Sequence, residues 1–197
     1  MTDTFIDFHR IAGGRNLLVL TAAPGDESLF CSGLIAQACA LGRPPFVAVL
    51  TDGSRIAVPG LNDPTPDRIA GMHALRTLRA TGILGVPHEW FVSLGLYDGT
   101  VPTHGARFSA VVDALAAIMW RRDCDAIAVP WAADKRPDYA ACHAVGVAFS
   151  ADGIGLITYR TSGHADGSNP MVRLRPTAAS AQGSAAQAQH AHIKSDV

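Results

Sequence analysis

Residues 16–41 read NLLVLTAAPGDESLFCSGLIAQACAL, and this stretch decides the fold. Residues 16–22 are a short apolar run without alternation, which is typical of a strand buried on both faces. Ala23-Pro24-Gly25 then breaks the chain, and residues 27–41 have the composition of a helix that ends at Gly42. A buried strand, a tight loop and a helix predict the first unit of a parallel α/β sheet.

The same alternation of strands and helices continues along the chain. Further strands are predicted at 46–50, 90–92 and 126–129, and further helices at 66–80, 105–121 and 138–149. After residue 150 the pattern changes to two strands joined by a polar turn, at 153–159 and 171–175. The order predicts a Rossmann-like α/β three-layer sandwich with a mostly parallel sheet.

Ligands of such folds bind beyond the carboxyl ends of the strands. The sequence therefore directs attention to the loops that follow those ends, at 21–28, 51–65, 94–104 and 130–138.

Length and composition indicate one globular domain and a short tail. The chain has 197 residues, of which 48% are hydrophobic and 17% charged, as in an ordinary globular domain. We predict an α/β domain over residues 1–176. Residues 177–197 are rich in Ala, Gln, Ser and His and have too little apolar surface for a core, so we predict a disordered tail there.

Charge and cysteine content exclude several classes of partner and compartment. A net charge of −1 argues against nucleic acid and acidic membrane surfaces as partners. The first residues lack a secretory signal, and no apolar run approaches the roughly 20 residues of a membrane span. The four cysteines form no C-x-x-C pair. We expect a cytoplasmic protein with reduced thiols.

Four segments, in order over about residues 15–150, resemble the LmbE/PIG-L family of metal-dependent N-deacetylases. LTAAPGDES at 20–28, followed by Cys31-Ser32-Gly33, resembles the family's A-H-P-D-D-E motif and its C-x-G turn. VLTDG at 49–53 resembles its T-x-G turn. ILGV at 83–86 and FVSLGLYDG at 91–99 resemble its L-G-V and L-x-x-x-D-G segments. Val129-Pro130, followed by RPDY at 136–139, stands where the family has H-P-D-H.

The resemblance implies a zinc hydrolase, whose site needs three protein ligands, an open position for water and a base. Carried over by position, the first histidine ligand falls on Ala23 and the base on Gly25. The aspartate ligand is kept as Asp26. The histidine that stabilises the oxyanion falls on Arg136, and the last ligand falls on Tyr139, a poor zinc ligand because its phenol has a pKa near ~10. One ligand of three remains, so we expect no zinc cofactor and no deacetylase activity.

The resemblance places five candidate residues around the former substrate pocket: Asp26, Asp98, Arg136, Asp138 and Tyr139. Asp98 matches the family's Asp-Gly and could accept a hydrogen bond from a sugar hydroxyl, or it could be an ordinary turn residue. Asp26 would suit the positive end of a helix dipole. The sequence therefore predicts a non-catalytic homologue that binds a small sugar-type ligand or a partner protein.

Two alternatives keep a reaction in the pocket. A deacetylase could have relocated its zinc ligands, for instance to Asp26 with His143 and His104. A metal-free enzyme could use Asp26, Arg136 and Asp138 as polar groups, although the sequence contains no recognisable Ser-His or Cys-His arrangement for such a reaction.

Overall fold

The computed structural model describes residues 16–134 and 136–161. Within them the chain forms five strands and five α-helices. In chain order they are β1 (Leu17–Thr21), α1 (Asp26–Leu29), α2 (Ser32–Ala40), β2 (Phe46–Thr51), α3 (Pro66–Ile83), β3 (Phe91–Leu96), α4 (Gly105–Arg121), β4 (Ala126–Pro130), α5 (Pro137–Ala151) and β5 (Gly155–Tyr159), with a 3₁₀ turn at His88–Trp90 before β3.

The five strands form one sheet in the order β3-β2-β1-β4-β5, and every neighbouring pair is parallel. Helices cover both faces, so the predicted Rossmann-like α/β sandwich is confirmed. The predicted strand at 171–175, the domain boundary at 176 and the tail lie outside the described residues. β5 pairs with β4 as a fifth parallel strand.

The two faces of β1 point into two separate apolar clusters, because successive side chains of a strand alternate between faces. Leu18 and Leu20 pack with residues of α4 and α5. Leu17 and Val19 pack with α2 and with Leu84, which follows α3. All five residues of β1 are buried, as the unbroken apolar run predicts.

The prediction of a single helix over 27–41 is wrong. The regular helix is interrupted at Phe30 and Cys31, where φ is −114° and −117° rather than the roughly −63° of a regular α-helix. Apolar periodicity continues across this point, so the pattern alone indicates one helix. The carboxylates of Asp26 and Glu27 accept hydrogen bonds from backbone N–H groups of the preceding loop, and these contacts fix the start of the first turn.

Close packing of α5 on the sheet sets the position of its first turn, which contributes to the site. A Cβ atom at Gly146 would lie 2.8 Å from both methyl groups of Val129. Only glycine therefore allows α5 to approach β4 this closely. The amino end of α5 lies beyond the carboxyl ends of β1 and β4 and faces the loop that follows β1.

The structure also bears on the predictions about the cysteines and about membrane spans. The four cysteines are free thiols. Among the helices of residues 16–134 and 136–161, none has the length and apolar character needed to cross a membrane.

Candidate ligand-binding cleft

The loop after β1 turns through a left-handed residue at the position where the family has its base. Gly25 has φ 97° and ψ −22°, a conformation that residues with a side chain rarely adopt. The loop is tied to the next strand by a hydrogen bond from the amide N–H of Thr51 to the carbonyl of Ala22. Gly25 thus contributes backbone geometry but no titratable group.

Asp26 and Tyr139 are hydrogen-bonded to each other across the site. The hydroxyl of Tyr139 donates to Oδ1 of Asp26 at 2.8 Å, and the amide N–H of Ala23 donates to Oδ2 at 3.1 Å. Asp26 is only 5% exposed. Burial raises its pKa to about 6, while the hydrogen bonds from Tyr139 and Ala23 oppose that rise. Asp26 and Tyr139, at two positions where the resemblance implies metal ligands in the family, therefore satisfy each other's hydrogen-bonding capacity.

The sequence predicts that Asp26 stabilises the positive end of a helix dipole, and the hydrogen bond from Tyr139 gives it a second, more specific contact. α1 has only four residues, so its dipole is small, and the carboxylate is held by specific donors. Burial also raises the pKa of the Tyr139 phenol well above its usual range, with the charge of Asp26 adding to the effect. Tyr139 is therefore a neutral donor at physiological pH.

Glu27 is a buried acid whose role the sequence did not reveal. Its carboxylate accepts hydrogen bonds from the amide N–H of Gly25 at 2.9 Å and from the hydroxyl of Ser28 at 3.1 Å. The side chain is fully buried. That burial raises its pKa to about 7. Its acidic character at a helix start was visible in the sequence, but its complete burial follows from the fold.

Arg136 lies flat over Tyr139 and forms an ion pair with Asp134. Its guanidinium carbon is 3.4 Å from the centroid of the Tyr139 ring. Its Nε and Nη2 donate to the two carboxylate oxygens of Asp134 at 3.0 and 2.6 Å, and Thr161 also donates to this carboxylate. The hydrogen bonds from Arg136 lower the pKa of Asp134 to about 2. Asp134 was missed in the sequence because nothing in its spacing distinguishes it from an ordinary loop residue.

Asp138 fixes the loop after β3 to the start of α5. Its two carboxylate oxygens accept from the amide N–H groups of Gly99 at 2.7 Å and Val101 at 3.0 Å. Asp98 stands beside it at the rim. Burial and then the nearby charge of Asp138 raise the pKa of Asp98. The Asp98 amide N–H donates to Oδ1 of Asp52 at 3.3 Å, so this loop is braced from two sides.

These groups surround an open cleft of about 440 Å³ at the carboxyl ends of the strands. All five candidate residues line it: Asp26, Asp98, Arg136, Asp138 and Tyr139. Arg55 lines it as well, and sequence reasoning missed it. An added Cβ at Gly99 would lie 2.6 Å from Nη1 of Arg55, so glycine at 99 leaves the space that this guanidinium occupies.

The histidines considered as relocated ligands are engaged elsewhere. Nδ1 of His143 is 2.9 Å from the carbonyl oxygen of Pro130. His104 pairs with the hydroxyl of Thr103 at the surface. Across residues 16–134 and 136–161, no three His, Cys, Asp or Glu side chains are grouped so that they could hold a metal ion.

The family's zinc does not fit the residues at this site. Ala23 presents a methyl group where a ligand nitrogen would be needed. The Tyr139 hydroxyl is protonated and donates a hydrogen bond to Asp26. Zinc sites use deprotonated ligands, and this pair would first have to be separated.

A family model described as PIG-L, GlcNAc-PI de-N-acetylase, matches residues 18–150, which is more than half of the chain. The chain belongs to the PIG-L family. The match spans all the elements that build the cleft, from β1 to α5. A comparison of this PIG-L family member with curated proteins by sequence gave no match.

Solved structures share the fold at low sequence identity. An N,N'-diacetylchitobiose deacetylase from Pyrococcus horikoshii matches with a TM-score of 0.70 and 16% identity, over 95% of this chain and 74% of that one. A deacetylase of the teicoplanin biosynthesis pathway matches with a TM-score of 0.67 and 16% identity, over 88% and 83%. GalB from Pseudomonas putida KT2440, a 4-carboxy-2-hydroxymuconate hydratase, matches with a TM-score of 0.65 and 15% identity, over 92% and 82%.

These likenesses establish the fold and not the reaction. The neighbours include deacetylases and a hydratase, so one scaffold carries different chemistries. The function of this PIG-L family member has to be argued from its own cleft.

Proposed function

We propose that this PIG-L family member is a non-catalytic homologue whose cleft binds a sugar-type ligand without hydrolysing it. The hydrogen bond between Asp26 and Tyr139 carries the proposal. It joins two of the family's ligand positions directly to each other. Ala23 and Gly25 remove the remaining ligand and the base, so neither metal nor general base is available to activate water.

The remaining groups of the cleft suit recognition of hydroxyl groups. Asp98 stands at the rim, where its carboxyl also interacts with Asp138, Thr51 and the backbone of Arg55. Arg136, half exposed at its side chain, keeps donors that Asp134 does not use. Arg55 adds further donors. Acceptors and fixed donors around an open cleft are the arrangement that binds small polar ligands. A partner protein seated on the same rim is the alternative occupant.

Metal content and hydrolysis test the loss of catalysis. Protein purified without a histidine tag should contain substoichiometric zinc and release no acetate from N-acetylglucosamine when zinc is added. Stoichiometric zinc that disappears in Asp26→Asn, or zinc-stimulated acetate release, would overturn the proposal. Either result would support relocated ligands instead.

Ligand binding tests the second half of the proposal. Isothermal titration with N-acetylglucosamine and chitobiose should show saturable binding that weakens about tenfold in Asp98→Ala, because a charged acceptor of a sugar hydroxyl is removed. Tyr97→Phe is the matched control, since Tyr97 is exposed next to Asp98 but does not line the cleft. Absence of binding to every sugar tested would contradict this half and favour a protein partner.

The metal-free enzyme has less support. Asp138 has both carboxylate oxygens bonded to backbone amides. Arg136 is held by Asp134, and Asp26 is held by Tyr139. The three side chains assigned to such a reaction are thus all engaged in contacts that shape the cleft.

A further inference from the structure

Two arginine side chains line the cleft from strands on either side of β1. Arg55 lies in the loop that follows β2, and Arg136 lies in the segment that follows β4. Both strands pair with β1, so their carboxyl ends are about two strand spacings, roughly 10 Å, apart. Both side chains line the same cleft of about 440 Å³. Long side chains from these two positions can therefore contact one small ligand between them.

Arg55 has a positive charge that no described carboxylate neutralises. The residue is exposed, and within residues 16–134 and 136–161 it forms no ion pair with an Asp or Glu. Its Nη1 nevertheless lies close to the loop after β3, since a Cβ atom added at Gly99 would be 2.6 Å away. Glycine at 99 therefore leaves room for the guanidinium against the wall of the cleft.

Arg136 has donors left over after its ion pair with Asp134. Its Nε and Nη2 donate to the two carboxylate oxygens, whereas a guanidinium has five N–H donors. The ring of Tyr139 covers one face of the group, and half of the side-chain surface stays exposed. Because Nη1 forms no hydrogen bond with the described part of the chain, this edge of Arg136 is available to a ligand.

The carboxyl groups of the same cleft are already engaged by the protein. Asp26 accepts hydrogen bonds from Tyr139 and Ala23, Asp138 accepts from two backbone amides, and the carboxyl of Asp98 interacts with Asp138. These three acids still repel an anion, and the repulsion grows with its charge. A singly charged carboxylate therefore suits the cleft better than a phosphate group, which carries about −1.5 to −2 charges at neutral pH.

We propose that the ligand of the cleft is an acidic sugar, a hexuronic acid, whose carboxylate is bound by Arg55 and Arg136. This inference rests on the proposed sugar binding and adds the charge of the ligand. A planar guanidinium matches the two oxygens of a carboxylate, and such charge-assisted hydrogen bonds are roughly twice as strong as neutral ones. The hydroxyl groups of the sugar are left for acceptors at the rim such as Asp98.

Titration of the full chain with three sugars that differ only in the group at C6 tests the charge of the ligand. The probes are D-glucuronate, D-glucose and D-glucose 6-phosphate, each followed by isothermal titration calorimetry. Glucuronate should bind about tenfold more tightly than glucose, and more tightly than the phosphate. Glucose or the phosphate binding as tightly as glucuronate would overturn this inference and leave the proposed sugar binding intact. Binding of none of the three would overturn both.

Variants of the two arginines test which groups bind the carboxylate. Arg55→Gln should reduce the preference for glucuronate over glucose to about twofold, and Arg136→Gln should reduce it as well. The readout is the ratio of the two affinities, because a general distortion of the cleft would lower both together.

Arg121→Gln is the matched control for the loss of one positive charge. Arg121 is exposed at the end of α4, and this end precedes the amino end of β4, at the edge of the sheet opposite the cleft. The variant should leave the ratio of affinities unchanged. An unchanged ratio in Arg55→Gln, or an equal fall in Arg121→Gln, would overturn the assignment.

Discussion

Asp26 and Tyr139 at the cleft and Thr77 on α3 are buried polar residues of the same domain, yet their surroundings differ. At the cleft, each substituted or retained polar group has a partner in the protein. On α3, the hydroxyl of Thr77 has none among the described residues. The polar groups of the cleft therefore help to hold the fold together, whereas the hydroxyl of Thr77 is buried without a compensating hydrogen bond and should cost stability.

The largest effect should come from breaking the brace at Asp138. Asp138→Ala removes the acceptor for two backbone N–H groups, those of Gly99 and Val101. We expect the free energy of unfolding to fall by about 2 kcal/mol, because the buried N–H of Val101 finds no replacement. Urea denaturation measures this change. Asp138→Asn keeps one acceptor oxygen and should lose about half as much; equal losses would contradict the assignment.

Separating Asp26 from Tyr139 should have the next largest effect. Tyr139→Phe leaves a buried carboxylate without its hydroxyl donor, and we expect a loss of about 1.5 kcal/mol in the free energy of unfolding. In a double-mutant cycle with Asp26→Asn, the coupling energy should be about 1 kcal/mol. Tyr97→Phe, at an exposed position, should be neutral. Additive effects of the two substitutions would show that the bond contributes nothing.

Glu27 should make stability depend on pH. Its folded-state pKa of about 7 lies above the value near ~4 of an unfolded glutamate, so the folded chain binds more protons between these values. The free energy of unfolding should therefore be highest at the acidic end and fall as pH rises from about 4 to 7. Asp26, with a pKa of about 6, adds to the same trend.

Glu27→Gln tests this dependence, because glutamine resembles the protonated acid. At pH 8 we expect the variant to be about 1 kcal/mol more stable than the wild type, less than the full pKa shift implies because its amide group must also be accommodated. At pH 4 the two should be equal. Denaturation curves across this range measure the difference, and parallel pH profiles would refute the role of Glu27.

The smallest effect concerns α3. Gly71→Ala should raise the free energy of unfolding by about 0.5 kcal/mol, because alanine favours the helix and the position is sterically open. Thermal unfolding measures this gain. A loss of stability would mean that residue 71 is not an ordinary, sterically open helical position.

The sequence predicts the sheet well and the site only in part. Buried strands such as residues 16–22 have a local signature, since an unbroken apolar run identifies them without knowledge of their neighbours. The break at Phe30 and Cys31 has no such signature, because apolar residues continue across it. Family resemblance brought together the residues that line the cleft.

The contacts that give these residues their properties could not be predicted. Asp26 and Tyr139 are 113 positions apart in the chain, and only the parallel sheet brings them into contact. Asp134 pairs with Arg136 and Arg55 lines the cleft because of how their loops fold, which the sequence does not reveal. Thr77 looks like any helical threonine in the sequence, and only the structure shows that its hydroxyl is buried without a hydrogen-bond partner among the described residues.

The left-handed turn at Gly25 constrains how the family's motif could be introduced at this cleft. Restoring an aspartate there would place a side chain on a backbone with φ 97°, at a cost of about 1 kcal/mol. Exchanging Tyr139 for histidine first would remove the donor to Asp26 before any metal could take its place. Each of these substitutions is therefore unfavourable until the others have been made. Single substitutions toward the family's motif should accordingly destabilise the cleft before they complete a metal site.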